Sequence, residues 1–410
     1  MRLLFVSTTF PFPPRDGVEL PLAFYMEHLA REHEISFALL ASPENTDEVG
    51  RATVLPPWLS RVVIVPVTLR STTSRYWKEF TFQQPSFFPY EMSPRTIVGL
   101  FRDAQYDVIW HSPVGVRSFS RLYQKYVDPR VRCFLGGYDV IHSLYFEQGM
   151  LILRGREKLG LNKLSRLVRS FGIALMERRY LREFNLIQVH SWREQVRLRH
   201  LFTGISSPPV IVAPNGLKEE LFKLSYISAR GQANILFITH CDPGRERQVR
   251  WFLHRVWPVI FRARPSARLH LVGSPAQGSF LSELQGAHGI ILRGFVEPYA
   301  QAFTAMTVAV LPLWQTVGHI NRIIDSMAAG VPLVGNYAAL STIRGFQNGI
   351  QGIAARSAQE FAHSIITLLD NPRRCREISQ KARELVMAEY QWEHSLRVVS
   401  EALQKFSTKN

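Results

Sequence analysis

Cysteine is scarce. The 410 residues hold three, Cys133, Cys241 and Cys375, far apart and without a Cys-x-x-Cys spacing. This excludes a disulfide framework or a zinc ribbon and fits a reducing cytoplasm. Long apolar runs are also missing. No stretch approaches the ~18 apolar residues of a spanning helix. No apolar region with a cleavage site follows the opening Met1-Arg-Leu-Leu-Phe-Val6, so a secretory leader is not expected. Nucleic-acid modules are absent, and aromatics do not interleave with the basic residues, which argues against a nucleic-acid partner.

Acidic residues are few beside basic ones, 33 against 49, giving a net charge of +16. The surplus is local. Residues 151–200 hold twelve Lys/Arg and four Glu, or +8, half the excess in about an eighth of the chain. Within them Leu164, Leu167, Val168, Phe171 and Leu175 recur at helical spacing, with Lys163, Arg166, Arg169, Arg178, Arg179 and Arg182 between or after them. This basic amphipathic pattern has two readings. The apolar stripe packs on a core below a solvated basic face, or the helix docks on an anionic membrane surface or a polyanionic acceptor.

What is present in quantity is apolar material, 46% of the chain, enough for large cores. A chain of this length predicts two domains of roughly 150–200 residues each. Short apolar runs at 2–7, 35–40, 62–67, 107–111, 131–135 and 186–189 alternate with helical stretches such as 20–31. Residues 68–95, rich in Ser, Thr, Phe and Pro, read as a long surface loop. A second alternation follows, with strands at 234–239, 268–272, 290–292, 308–311 and 332–334 and a helix over 249–262. After Asn371-Pro372 the chain reads as helical to about Phe406. Short apolar runs separated by helices predict parallel, doubly wound sheets. The expected architecture is α/β, with two Rossmann-like parallel-sheet domains facing a central cleft. Residues 1–215 form the first, joined by a C-terminal helix at about 388–410, and residues 216–387 form the second. Ligands in such sheets sit at the carboxyl ends of the strands.

The segment 310–334 is the most telling. It reads as a buried strand, a loop opened by Gly318, a short helix carrying Asp325, a stop at Gly330 and a second buried strand. A helix N-terminus beside a strand end offers unpaired N–H groups to a phosphate, and the carboxylate on the helix can hold a sugar diol. Together they predict a nucleotide-sugar seat.

Several segments in order resemble the retaining glycosyltransferases of family four, which have the GT-B fold, over nearly the whole chain. Val212-Ala-Pro-Asn-Gly-Leu217 is similar to the family's Val-x-Pro-Asn-Gly-Val interdomain signature. Ile235-Leu-Phe-Ile238, Leu269-His-Leu-Val-Gly273 and Leu292-Arg-Gly-Phe-Val296 resemble donor-domain strands, and Gly318 to Gly330 the family's Gly-x-x-x-(Lys/Arg)-x-x-Glu-(Ala/Ser)-Met-Ala-x-Gly element. Tyr390-Gln-Trp392 resembles the start of the final helix that crosses back to the first domain.

The resemblance implies roles. Asp325 stands at the second acid of the family's Glu-x7-Glu motif, which holds the donor ribose; the first acid falls at Val317. Arg322 matches a basic position before it. Gly318, His319 and Ile320 would give N–H groups to the diphosphate, and Gly294-Phe295-Val296 would lie against the base. The family's phosphate-neutralising Arg and Lys fall near 239–248; Thr239 and His240 stand where the Arg is expected, and one of Arg245 and Arg247 is expected to substitute. Gly17, followed by Val18, stands at the N-terminal glycine loop. The family's His-Asp pair reads Tyr138-Asp139, with His142 three residues on. Asp139 is a candidate for contact with sugar or acceptor, or else a helix or turn cap. His142 and His111 are candidate catalytic residues, or else packing histidines.

In a retaining transfer the acceptor attacks on the face from which the nucleotide leaves, so the leaving phosphate oxygen can take its proton and no dedicated base is needed. The expected activity is transfer of a sugar from a nucleotide diphosphate to a glycan or lipid-linked acceptor, without a metal or other cofactor. It would occur in the cytoplasm or at the cytoplasmic membrane surface through the basic segment. A non-catalytic relative, serving as partner subunit or glycan-binding module, is the alternative. A GT-B epimerase or phosphorylase is a third reading, and no lysine stands like a phosphorylase cofactor anchor.

Overall fold

A computed structural model of the chain describes residues 1–14, 19–42, 46–53, 55–69, 90–112, 117–143, 146, 161–224, 233–239, 243–273, 284, 287–313 and 321–407; the side chains of 46, 69, 90, 161–169, 243–245, 287 and 407 lie outside that description. The chain forms two compact units, Met1–Pro214 with Glu393–Asn410, and Asn215–Trp392.

The strands of the first unit are β1 Arg2–Ser7, β2 Glu34–Ala41, β3 Leu59–Pro66, β4 Thr68–Leu69, β5 Tyr90–Glu91, β6 Val108–His111, β7 Arg132–Leu135, β8 Leu186–Val189 and β9 Val210–Val212. Seven form one sheet in the order β3-β2-β1-β6-β7-β8-β9, every pair parallel. Alternation in β1 shows why the strands are apolar throughout. Leu3 and Phe5 point into one core with Trp110 and Phe134; Leu4 and Val6 point into another with Ile109, Phe119 and Tyr123. Helices cover both faces, so both sets of side chains leave water.

The stretch read as a long loop is partly structured. β4 and β5 pair antiparallel. The helix Pro94–Phe101 begins within it, because the Ser93 hydroxyl accepts from Arg95 N–H and Ile97 and Phe101 are buried. Residues 70–89 lie outside the described residues. The helix Trp392–Ser407 belongs to the first unit: Leu396, Val399 and Leu403 share the core of Leu3 and Phe5, and Ser395 Oγ donates to Pro214 O at 2.7 Å. The change of unit falls at Glu393, later than the expected 388. Tyr390 keeps the preceding turn in the second unit, where it is buried, receives Leu217 N–H at its carbonyl (3.1 Å) and Arg344 N–H at its hydroxyl (3.0 Å).

The second unit contains β10 Asn234–Ile238, β11 Arg268–Val272, β12 Ile290–Gly294, β13 Val308–Leu311, β14 Leu333–Asn336 and β15 Ile353–Ala355. They form one sheet in the order β12-β11-β10-β13-β14-β15, again all parallel. β15 escapes sequence reading because it is a three-residue edge strand with two half-buried positions. The helix expected over 249–262 is not uniform. Pro258 has no N–H for the carbonyl four residues back, and the helix widens to π geometry over Phe252–Val256, with Trp257 N–H bonded to Phe252 O.

Cys133 and Cys375 are buried free thiols, and no helix among the described residues is long and apolar enough to cross a membrane. In both sheets the strand order reverses beside the first strand, between β1 and β6 and between β10 and β13. The carboxyl ends at such a reversal are where α/β sheets bind ligands.

Candidate functional site

In the second unit the reversal point is built from the end of β10 and the helix Asn321–Ala328 that follows β13. The helix buries Ile323, Ile324, Met327 and Ala328. That face also carries Asp325, which is 3% exposed. A carboxyl so placed needs a partner, and Tyr299 supplies one, its hydroxyl donating to Asp325 Oδ2 at 3.0 Å. Lys218 stands over the Tyr299 ring, Nζ 3.8 Å from its centroid. Burial raises the Asp325 carboxyl to about 6, against the opposing pull of Lys218, the Tyr299 hydrogen bond and Arg322. The Tyr299 hydroxyl is raised as well, first by burial and then by Asp325 beside it.

Arg322 lies one turn before Asp325 and donates from Nη1 to Ile238 O at 2.8 Å. It thereby ties this helix to the end of β10 across the reversal. Asn321, the first residue of the helix, accepts at 3.0 Å from Asn215 Nδ2 of the Pro-Asn-Gly turn. Val296 is half-buried against the same core, while Phe295 beside it is 71% exposed. Gly294 has φ +62, the left-handed region that lets this chain end turn sharply. Arg247 is exposed on the helix Pro243–Trp251. The side chain of Arg245, and Gly17, Gly318, His319 and Ile320 entirely, lie outside the described residues.

In the first unit the candidates follow β6 and β7. His111 is not at an open strand end. It is 1% exposed, its ring packs edge-on to Phe184, and burial lowers its pKa to about 3. It is thus a neutral core histidine, the packing alternative of the two readings of its position and not the catalytic one. His142 is 18% exposed and pairs through Nδ1 with Glu177. Asp139 is exposed. The turn that follows it is not capped by its carboxylate: Ile141 N–H and His142 N–H go to Glu177 at 2.8 and 3.1 Å.

Sequence reasoning missed Tyr299, Lys218, Glu177 and His190. Lys218 follows the Pro-Asn-Gly signature directly and was legible to that extent. Tyr299 comes from a different loop, and Glu177 from the basic helix, where its charge looked like one of four scattered acids. His190, at the end of β8, lies where a Cβ on Gly137 would sit 3.0 Å from its Nε2, and burial lowers its pKa to about 4. Among the described residues no group of three His, Cys, Asp or Glu side chains is placed to hold a metal.

The apolar stripe of the basic helix also needs correcting. Among the described side chains of Leu161–Leu181, Ile173, Met176, Glu177, Tyr180 and Leu181 are buried, as are Ser170 and Gly172, whereas Phe171 and Leu175 are 69% and 46% exposed. Phe171 and Leu175 therefore do not belong to the core-facing stripe, and the side chains of Leu164, Leu167 and Val168 lie outside the described residues.

No curated protein matches the chain in sequence. Similar solved structures cover nearly all of it at low identity. Sucrose-phosphate synthase from Thermosynechococcus elongatus matches with TM-score 0.69 and 16% identity, covering 100% of both chains. HepE of Anabaena, solved with UDP and glucose, matches with TM-score 0.64 and 15% identity over 99% of this chain and 100% of that one. The pneumococcal O-GlcNAc transferase GtfA, solved with UDP and GlcNAc, matches with TM-score 0.62 and 10% identity over 100% and 99%. Residues 232–371, which contain β10 through β15 and the Asp325 helix, match the sequence model of the family described as Glycosyl transferases group 1, and the chain as a whole has the GT-B fold of these glycosyltransferase structures.

Proposed function

We propose that this chain is a glycosyltransferase that moves a sugar from a nucleotide-diphosphate donor to a glycan or lipid-linked acceptor with retention of configuration. The observation that carries this is Asp325, a buried acid at the reversal point of the segment that matches the glycosyltransferase model. Fold alone would not supply it, since one fold hosts many chemistries. The carboxylate receives the ribose diol. Arg322, Lys218, Arg245 and Arg247 are the cations available to the diphosphate, whose charge grows as the glycosidic bond breaks. The leaving phosphate takes the acceptor proton, and no metal takes part.

The UDP in the HepE and GtfA structures makes UDP the first probe. Thermal melting with EDTA present and a panel of nucleoside diphosphates should show a rise for at least one. At a hundred times the dissociation constant the gain is about 2.7 kcal/mol, several degrees for a domain of this size. A flat response to every nucleotide favours the second reading, a non-catalytic relative that keeps the scaffold. Val317 in place of an acid is the residue that speaks for it.

Docking on an anionic membrane at the cytoplasmic side belongs to the same proposal, and what supports it is that Phe171 and Leu175 are exposed on the same helix as Arg178 and Arg179, with Arg182 just beyond. Phosphatidylglycerol vesicles should sediment the protein, less so as salt rises. Phe171→Ser with Arg179→Glu and Arg182→Glu should cut that binding at least tenfold. Undiminished sedimentation of the triple variant rules this surface out.

A further inference from the structure

A polar cluster of the first unit, centred on Glu177, has no part in the proposed transfer. Glu177 is fully buried, and its two oxygens accept from four donors. Oε1 takes the Tyr138 hydroxyl and Ile141 N–H at 2.8 Å. Oε2 takes His142 N–H at 3.1 Å and lies 2.5 Å from His142 Nδ1. The segment from Tyr138 to His142 is thus folded around one carboxylate, and it carries the exposed Asp139 at the carboxyl edge of the sheet. As an ionised carboxylate Glu177 accepts from all four groups, which assigns the ring hydrogen of His142 to Nδ1. His142 Nε2 is left as an acceptor, with Ser143 Oγ 3.4 Å away, on a side chain that keeps 18% of its surface exposed.

From this arrangement we infer that Glu177 is a positioning residue. It fixes the tautomer and direction of His142 so that Nε2 accepts a hydrogen bond from a carbohydrate hydroxyl beside Asp139. An acceptor nitrogen and an acceptor carboxylate a few residues apart suit neighbouring hydroxyls, which are donors to both. A buried carboxylate behind a histidine is the usual device for choosing which ring nitrogen is free. The inference rests on the glycosyltransferase reading for its ligand class, but not for its geometry.

The test is side-chain NMR of the full chain labelled with 15N-histidine, with His142 assigned through His142→Gln. In the wild type the His142 hydrogen is expected on Nδ1. In Glu177→Gln the carboxamide presents N–H to Nδ1, and the hydrogen should move to Nε2. Methyl glucoside, methyl galactoside and methyl mannoside serve as hydroxyl probes; at least one should shift the wild-type Nε2 resonance, and its apparent affinity should fall at least tenfold in Glu177→Gln. UDP affinity, set in the second unit, should stay within twofold. An unchanged tautomer in Glu177→Gln overturns the positioning role, and an Nε2 that no glycoside shifts overturns the hydroxyl site. If Glu177→Gln fails to fold, Tyr138→Phe replaces it. That variant keeps the carboxylate and must leave His142 protonated on Nδ1, with glycoside binding retained; loss of either overturns the assignment. Failure of UDP to bind at all would strike the proposed function while leaving the tautomer result standing.

Discussion

Asp325→Asn should make the protein more stable at neutral pH and at the same time disable its nucleotide site. The first effect follows from linkage. Burial pushes the carboxyl up to about 6 in the fold, against an ordinary value of 3.8. Its contribution is therefore fully present below pH 4 and is lost as pH rises through about 6, when burial must be borne by a charge. The upward shift corresponds to about 3 kcal/mol at pH 8. Asparagine keeps an acceptor for the Tyr299 hydroxyl and never ionises. Chemical denaturation should give equal stabilities near pH 4 and a gain for the variant approaching that figure at pH 8. The second effect follows from the diol. An ionised carboxylate accepts two hydroxyl hydrogens, whereas the amide accepts on one side and opposes on the other. Losing a hydrogen bond to a charged group costs about 1.5–3 kcal/mol, so UDP affinity by calorimetry should fall roughly 10- to 100-fold. Wild-type affinity should itself strengthen as pH rises through about 6, and Asp325→Asn should lose that part of the pH dependence. Undiminished UDP binding by Asp325→Asn removes the ribose role, whatever happens to stability. A destabilised residue at the site of greatest chemical use is the pattern expected of selection for function over stability.

Gly273→Ala should be among the most damaging single changes in the second unit. The residue ends β11 with φ +127, a conformation that L side chains rarely adopt. A Cβ there would stand 2.0 Å from Thr239 O, a main-chain atom at the end of β10. No rotamer relieves such a clash, so β10 and β11 must separate at the edge that carries Ile238, the acceptor of Arg322. Backbone strain and overpacking together cost about 3 kcal/mol or more, and the melting transition should fall by roughly 6–12 °C. UDP affinity should drop with it. Gly294→Ala is the control: Gly294 also has positive φ, but a Cβ there meets nothing within 4 Å, so only the strain applies. Equal losses in the two variants would show that the close approach to Thr239 carries no weight.

Particular residues show where legibility stopped. The β1 segment Arg2–Ser7 was readable because a strand covered on both faces must be apolar at every position, and few other structures demand that. Asp325 was readable because its spacing from Gly318 and Gly330 is local. Phe171 and Leu175 were open to a core or a docking reading: their spacing suits a helix, but Ile173, Met176 and Tyr180 offer an equally regular stripe, and only the fold selects which one is buried. His111 stayed open between a catalytic and a packing reading for a related reason. A strand's last residue lies within the core or beyond it according to how far the neighbouring elements extend, and here Phe184 closes over it.

The sequence alone determined the parallel α/β class, the repeated pattern of short strands and helices, the Pro-Asn-Gly turn, and the helix that bears Arg322 and Asp325. All of these depend on contacts within a few tens of residues, where periodicity and turn chemistry are expressed directly. Tertiary structure alone decided that Tyr299 answers Asp325, that Arg322 spans to Ile238, and that Glu177 gathers Tyr138 and His142. Each of these joins groups 26 to 84 residues apart in the chain. Burial is what makes each pairing obligatory, because a polar group removed from water must find its partner wherever the fold brings one.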